Sequence, residues 1–230
     1  RHFTIELPGQ VADTLVRYRL SCYSPSQGEI FADGGAYYAF YVDENTPPTW
    51  TKSAIIYQVF PDRFFPGGDR SWLKPDSLGG FFGGTLHGIL EKLEYIAQLG
   101  CNTIWLNPIF PSPSHHGYDA TDLFSVEPRL GTLQDFVTLL NSAHQFGIRI
   151  ILDFVPNHLA IDHLWVTEHP EYFIHGDFED AARDPVSFTE VNGEVFACGR
   201  DPFFPAWQDV LQLNAFHPKL RQALIETACD

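Results

Sequence analysis

Two short segments carry the side chains best suited to ligand chemistry. One is residues 116–119, with His116, Tyr118 and Asp119, and the other is residues 153–158, which begins at Asp153 and ends at His158. A phenol ring offers a flat apolar face, whereas imidazoles and carboxylates exchange hydrogen bonds or protons with a polar ligand. Gly117 before the tyrosine and polar Asp119 after it indicate a loop. The residue types therefore predict a binding site that combines an aromatic face with hydrogen-bonding groups.

The elements that must position these segments follow from three short apolar runs. Residues 54–60, 103–106 and 148–154 are β-branched and aromatic, which is typical of strands buried on both faces of a parallel sheet. Between the last two runs, Thr132 can cap a helix with Asp135 three residues later, and Gly147 ends the pattern. A second helix is predicted over residues 88–99. Alternating strands and helices predict a parallel α/β sheet, either open or closed into a barrel.

The flanking regions have different patterns. Residues 1–46 contain alternating runs at 2–7, 15–22 and 36–42, separated by turn residues, which predicts short β-strands. Residues 43–51 contain two consecutive prolines, which is typical of a linker. Residues 155–210 show little periodicity and many turn residues before a helix resumes near Pro218. A long irregular insertion after a strand favours the barrel, because barrel enzymes build their active sites from such loops.

Composition limits the classes of partner. The chain has 230 residues, 44% hydrophobic and 15% aromatic, with a net charge of −15. Such a negative surface argues against nucleic acid and anionic membranes as partners, and every apolar run is too short for a membrane helix. Four scattered cysteines favour reduced, buried thiols over disulfides or zinc. The sequence leaves both a cytoplasmic and a secreted location open, with the cytoplasm favoured.

Five segments carry a resemblance to a known family. They are residues 58–64 (QVFPDRF), 83–89 (GGTLHGI), 100–110 (GCNTIWLNPIF), 116–119 (HGYD) and 153–158 (DFVPNH). In order and spacing they resemble the signatures of the α-amylase family, glycoside hydrolase family 13, over about residues 52–230. The resemblance is to the amino-terminal portion of neopullulanase-like or cyclomaltodextrinase-like members.

The resemblance implies an α/β fold built on a (β/α)8 TIM barrel. Residues 54–158 would form its first three strand–helix units, residues 159–210 a domain inserted after the third strand, and residues 211–230 the return to the barrel with its third helix. Residues 1–46 would be the end of an amino-terminal β-sandwich, with residues 47–53 as the linker.

The resemblance also assigns roles to side chains. A retaining glycosidase needs two carboxyl groups about 5 to 5.5 Å apart. In the family these carboxyl groups come after a Gly-x-Arg-x-Asp motif, and that motif does not occur before Asp230. Both the nucleophile and the acid are therefore expected after Asp230. The 230 residues alone are expected to be inactive. Tyr118 is then the platform for the sugar ring that is cleaved, and His116 and His158 donate to its hydroxyls. Asp153 is an organiser of the site rather than the nucleophile.

Calcium is the one cofactor that the resemblance raises. Asn157 resembles the calcium-side asparagine of many α-amylases, but Gln212 stands where those enzymes carry a further aspartate. Because calcium prefers six to eight oxygen ligands with several carboxylates, the sequence argues against a calcium requirement.

The expected function is therefore hydrolysis of α-glucans such as starch, maltodextrin or cyclodextrin, with retention of configuration. Two alternatives stay open: an α-glucan transglycosylase, and a non-catalytic amylase-like subunit that only binds carbohydrate. The expected partner is an oligosaccharide or polysaccharide α-glucan, and a homodimer is also open. Trp165 and Trp207 in the predicted insertion are candidates either for outer sugar sites or for its core.

Overall fold

The computed structural model describes residues 4–32, 34, 36–44, 47–201 and 203–229. The chain divides into two compact units, Arg1–Ser53 and Ala54–Asp230. Within the described residues, no helix is long and apolar enough to cross a membrane.

The first unit consists of two small antiparallel sheets. Its strands are β1 (Thr14–Tyr18), β2 (Ser21–Ser24), β3 (Gly28–Phe31) and β4 (Tyr38–Val42), and a 3-10 helix follows at Thr49–Ser53. β1 pairs with β4, and β2 pairs with β3. None of the described residues of this unit is buried. Two-stranded sheets without a buried face are marginal on their own, and the Tyr18–Tyr38 stack at 5.4 Å adds a side-chain contact between β1 and β4.

The structure corrects the strand boundaries predicted for this unit. Residues 2 and 3 of the strand predicted at 2–7 lie outside the described residues, and the rest of that segment forms no strand. The run at 15–22 is divided at Arg19 and Leu20 into β1 and β2. The missed strand β3 follows a tight turn that ends at Gly28, whose φ of +73° favours glycine.

Three parallel strands form the central sheet of the second unit. They are β5 (Ile56–Val59), β6 (Thr103–Leu106) and β7 (Arg149–Leu152), paired in that order. Val59 pairs with Leu106 in one register, and Leu106 pairs with Leu152 in the next. The predicted parallel strands are confirmed, with ends within two residues of the predicted ones. Val59, Ile104 and Leu106 are fully buried in the core between this sheet and its helices.

The helices that flank this sheet match the prediction only in part. They are α1 (Pro61–Phe64), α2 (Leu86–Glu91), α3 (Leu93–Gln98) and α4 (Leu133–Gln145). The predicted capping box of α4 is present, with Thr132 and Asp135 each accepting from the other's main-chain N–H. The prediction of a single helix at 88–99 is wrong. The helical segment begins earlier, where Thr85 caps α2, and it is interrupted at Lys92, after which α3 begins.

Residues 158–212 form a second, antiparallel sheet rather than an irregular insertion. Its strands are β8 (His158–Ala160), β9 (Phe188–Val191), β10 (Glu194–Gly199) and β11 (Trp207–Gln212), in the order β8-β11-β10-β9. The elements around it are α5 (Trp165–Glu168), a 3-10 helix at Pro170–Tyr172, α6 (Phe178–Arg183) and α7 (Pro218–Cys229). Asn192 and Gly193 join β9 to β10 with φ angles of 54° and 83°. That Asn-Gly pair is a strong hairpin signal, although the many turn residues around it obscure it.

The four cysteines are unpaired, as predicted, but they are not all buried. Cys198 is buried and Cys101 partly buried, whereas Cys22 and Cys229 are exposed. Burial raises the pKa of the Cys198 thiol, so it stays protonated and packs as a small apolar side chain.

His163 makes the stability of the second unit depend on pH. The residue is 4% exposed, and its Nδ1 accepts the main-chain N–H of Trp165 at 3.0 Å. Burial lowers its pKa to about 4, although the charges of Asp122 and Asp162 oppose this. A histidine that must stay neutral when folded stabilises the fold fully above its unfolded pKa of about 6.5, and that contribution is lost as the pH falls towards 4.

We therefore expect the wild-type protein to lose about 3 kcal/mol of unfolding free energy from this residue between pH 7 and pH 4. Denaturant unfolding of wild type and His163→Asn across that range measures it, because the asparagine oxygen keeps the acceptor but does not titrate. The stability of the variant should fall less steeply below pH 6.5. Parallel pH profiles for the two proteins would contradict the assignment.

Candidate functional site

The loops that follow β6 and β7 meet at one edge of the parallel sheet. Parallel strands end at the same edge, so residues far apart in sequence converge there. The Tyr118 hydroxyl donates to Asp153 Oδ2 at 2.8 Å, and His158 Nε2 lies 3.0 Å from the Tyr118 main-chain oxygen. The structure thus brings together three predicted site residues that are separated by up to 40 positions.

Gly117 allows the loop to lie where it does. Its φ is +77°, and a Cβ at this position would lie 2.6 Å from the main-chain oxygen of Pro108. A side chain would therefore push the 116–119 loop away from the segment that follows β6. The glycine fixes the main chain on either side of His116 and Tyr118.

The two ring nitrogens of His116 have different surroundings, because Nδ1 is hydrogen-bonded within the loop and Nε2 is accessible to a ligand. Buried Asp119 accepts hydrogen bonds from Ser112 at 2.6 Å and from Ser114, and the Ser114 hydroxyl lies 3.0 Å from His116 Nδ1. The main-chain N–H of Tyr118 donates to the same Nδ1 at 3.2 Å. His116 Nε2 has no hydrogen-bond partner among the described residues, and the side chain is 39% exposed. With Nδ1 as acceptor, Nε2 carries a proton that a ligand can accept.

His158 has a different environment. Asn157 Nδ2 donates to its Nδ1 at 3.0 Å, and its Nε2–H donates to the Tyr118 main-chain oxygen. Burial lowers the pKa of this imidazole, which favours the neutral ring. Both ring nitrogens therefore have protein partners, whereas the sequence predicts donation to a ligand. That role stays a prediction and requires His158 to exchange one of these two bonds.

Tyr118 presents its ring rather than its hydroxyl. Burial, together with the hydrogen bond and the charge of Asp153, raises the pKa of Tyr118 to about 12, so the phenol stays protonated and keeps donating to Asp153. The ring is partly exposed. This arrangement suits stacking against an apolar ligand face, with the hydroxyl anchored behind it.

A cavity of about 320 Å³ opens beside these groups. Its lining residues are His116, Tyr118, Asp119, His158, Trp207, Asp209 and Val210. Asp153, the predicted organiser of the site, does not line this cavity. It lines a separate, mostly apolar cavity of about 420 Å³ and is joined to the first by its hydrogen bond from the Tyr118 hydroxyl. Sequence reasoning misses Asp209, since nothing in its local sequence marks it.

Asn157 joins the loop after β7 to the antiparallel sheet. Gln212 Nε2 donates to its main-chain oxygen at 2.8 Å and to its Oδ1 at 3.0 Å, and Asn157 Nδ2 lies 3.3 Å from the Arg200 oxygen. An amide group thus occupies the side-chain oxygen that a cation would need. Across the described residues, no group of three or more histidine, cysteine, aspartate or glutamate side chains is arranged to hold a metal.

Comparison with known families matches residues 58–209 to the alpha amylase catalytic domain. The chain belongs to the α-amylase family. The match includes every residue of the cavity except Val210, which directly follows it. The α/β fold described above is therefore an amylase-like fold.

Individual relatives support this family assignment. A cyclomaltodextrinase of Geobacillus thermopakistaniensis is 41% identical over 218 residues, which is 86% of this chain and 35% of the relative. Neopullulanase 2 of Thermoactinomyces vulgaris is 35% identical over 206 residues, 80% of this chain and 32% of the relative. The solved cyclic alpha-maltosyl-(1→6)-maltose hydrolase of Arthrobacter globiformis, in ligand-free form, matches with a TM-score of 0.64 at 31% identity, covering 80% of this chain and 42% of that one. The chain spans about a third of the length of the two curated relatives.

Proposed function

We propose that the full-length protein is a retaining glycoside hydrolase that acts on α-glucans of the starch, maltodextrin or cyclodextrin type. The observation that carries this proposal is the convergence of Tyr118, His116 and His158 from two different strand ends on one cavity. A sugar ring has apolar C–H faces and a rim of hydroxyls, and the cavity offers an aromatic face with hydrogen-bonding groups beside it. The names of the relatives support the same class of substrate.

Tyr118, His116 and Asp153 each have a part in the proposed reaction. The Tyr118 ring stacks on the sugar ring that is cleaved, and His116 Nε2–H donates to one of its hydroxyls. Asp153, fixed by the Tyr118 hydroxyl, keeps the end of β7 in place for groups supplied by later strands. An aspartate after Asp230 attacks the anomeric carbon while a glutamate protonates the leaving oxygen, and the glutamate then activates the water that releases the product with retention.

The proposed architecture places these residues in a (β/α)8 barrel. Residues 54–158 supply its first three strand–helix units, and residues 159–210, which contain most of the antiparallel sheet, are the inserted domain. Residues 211–230 return to the barrel through α7. Residues 1–46 are the end of an amino-terminal β-sandwich, and residues 47–53 link it to the barrel.

Calcium at Asn157 is not part of the proposal. Calcium prefers six to eight oxygens, usually with several carboxylates, whereas Gln212 directs an amide N–H at Asn157 Oδ1. The Asn157–Gln212 pair already joins the loop after β7 to β11 without a charge. No step of the proposed reaction depends on a metal.

The test uses full-length protein with maltoheptaose and with β-cyclodextrin, followed by ¹H NMR of the first products. We expect the α-anomer to appear first, because two displacements at the anomeric carbon retain its configuration. Early β-anomer would contradict the proposed mechanism. Products longer than the substrate would favour the transglycosylase, and glucan binding without turnover would favour a non-catalytic subunit.

The isolated 230-residue chain is expected to give no turnover in the same assay. Positioning groups without nucleophile and acid cannot lower the glycosidic barrier enough. Turnover above a blank by the purified 230-residue chain would show that the catalytic pair lies within it and that Tyr118, His116 and Asp153 have other roles than those proposed.

A further inference from the structure

The pairing of β10 with β11 contains an irregularity beside the cavity. Cys198 pairs with Leu211, but its neighbour Gly199 pairs with Trp207, so one step along β10 corresponds to four steps along β11. Residues 208–210 therefore have no partner on β10, although Val210 pairs with Ala160 on the other side. Bulges of this kind re-aim side chains and occur often next to active sites.

Consecutive residues of the bulge line the cavity. In a regular strand, consecutive side chains point to opposite faces, yet Asp209 and Val210 both line the cavity. Trp207 lines it as well, and its ring meets the His158 ring edge-on at a centroid distance of 5.3 Å. Trp207 is only partly buried, so part of its ring stays accessible from the cavity.

Gly199 makes room for this arrangement. A Cβ on Gly199 would lie 2.7 Å from Val210 Cγ2 and 2.9 Å from His158 Cβ. The absence of a side chain lets β10 approach both residues closely, so the bulge is packed against the same histidine that Trp207 contacts. Trp207 thus lies beside a closely packed part of the sheet, with its main chain paired to Gly199 and its ring against buried His158.

We propose that Trp207 is a second aromatic platform, which binds the glucose unit next to the one stacked on Tyr118, with the Asp209 carboxylate accepting a hydrogen bond from that unit. The inference rests on the proposed function and extends it to substrate selection. Two aromatic faces in one cavity favour ligands with at least two linked rings. The enzyme therefore discriminates between maltooligosaccharides and free glucose through Trp207.

Trp165 offers a matched control. It lies in α5, beside the antiparallel sheet that contains Trp207. Its ring packs edge-on against Tyr172 at 5.5 Å and against His163 at 5.2 Å, and it does not line the cavity. Trp165→Phe and Trp207→Phe remove the same indole from two different places. A difference between the two variants therefore reports on the cavity.

The experiment uses full-length protein. Trp207→Ala is expected to lower kcat/KM for maltoheptaose about tenfold, while the inhibition constant of glucose changes less than about twofold. Maltoheptaose should quench tryptophan fluorescence in wild type and in Trp165→Phe, and the quenching should fall by at least half in Trp207→Phe.

Three results would overturn the inference. They are kcat/KM for maltoheptaose within twofold of wild type in Trp207→Ala, an equal loss for glucose and maltoheptaose, or full quenching in Trp207→Phe. If Trp207→Ala does not fold, the Trp207→Phe quenching decides. Failure of the proposed function looks different, because the wild-type protein would then show no turnover of maltoheptaose, whether or not its fluorescence is quenched.

Discussion

Replacing Tyr118 with alanine in the full-length protein is expected to lower kcat/KM for maltodextrins by about 5- to 150-fold, with little change in Tm. This range corresponds to a loss of about 1 to 3 kcal/mol for an aromatic stacking face, by analogy with other aromatic platforms. Little change in stability is expected because the ring is partly exposed in the cavity rather than packed in the core. Steady-state kinetics and thermal unfolding of the same preparations measure both quantities.

Tyr118→Phe is the matched control for this prediction. It keeps the ring and removes only the hydroxyl that donates to Asp153. We expect it to retain more activity than Tyr118→Ala, since the stacking face is intact. If Tyr118→Ala instead unfolds the protein while activity per folded molecule is unchanged, the ring is a core residue and the sugar site lies elsewhere.

The largest effect on stability is expected from Gly88→Ala. A Cβ on Gly88, within α2, would lie 1.8 Å from the main-chain oxygen of Phe65 and 2.6 Å from its carbonyl carbon. Main-chain atoms cannot move aside as a flexible side chain can, so α2 or the segment after α1 must shift. We expect a loss of about 3 kcal/mol or more, which corresponds to a fall in Tm of about 6 to 12 °C for a unit of this size.

Gly79→Ala is the control, because its added Cβ would meet only the Ser77 hydroxyl at 3.6 Å, an ordinary contact. Its Tm should stay close to that of wild type. Equal Tm values for Gly88→Ala and wild type would show that the close approach of α2 to Phe65 is not present in solution.

The parts of the fold that sequence predicts well are those specified by local patterns. The predicted ends of β6 coincide with the observed ones, since its apolar run is bounded on both sides by polar or turn residues. Thr132 and Asp135 alone predict the capping box of α4, because both partners lie within one turn. These features need no knowledge of the rest of the chain.

The features that sequence reasoning misses depend on distant parts of the chain. The antiparallel sheet has strands of three to six residues, too short for a period to emerge, and only the Asn192-Gly193 turn marks it locally. The need for glycine at position 88 arises from the Phe65 carbonyl, 23 residues away. Sequence cannot supply such contacts without the fold.

The candidate site is likewise predictable from the sequence only in part. The motifs at 116–119 and 153–158 point to the residues that meet at the cavity. They do not reveal that both nitrogens of His158 have protein partners, because one of these is a main-chain oxygen 40 residues away. Nor do they reveal Asp209, whose position depends on the bulge in β11.

A crystal structure of the full-length protein with a bound maltooligosaccharide would test the proposed sugar site most directly. We expect a glucose ring stacked on Tyr118, with ring atoms within about 4 Å of the phenol face and a sugar hydroxyl in hydrogen-bond contact with His116 Nε2. A maltooligosaccharide bound outside this cavity, with Tyr118 and His116 free of contact, would contradict the site.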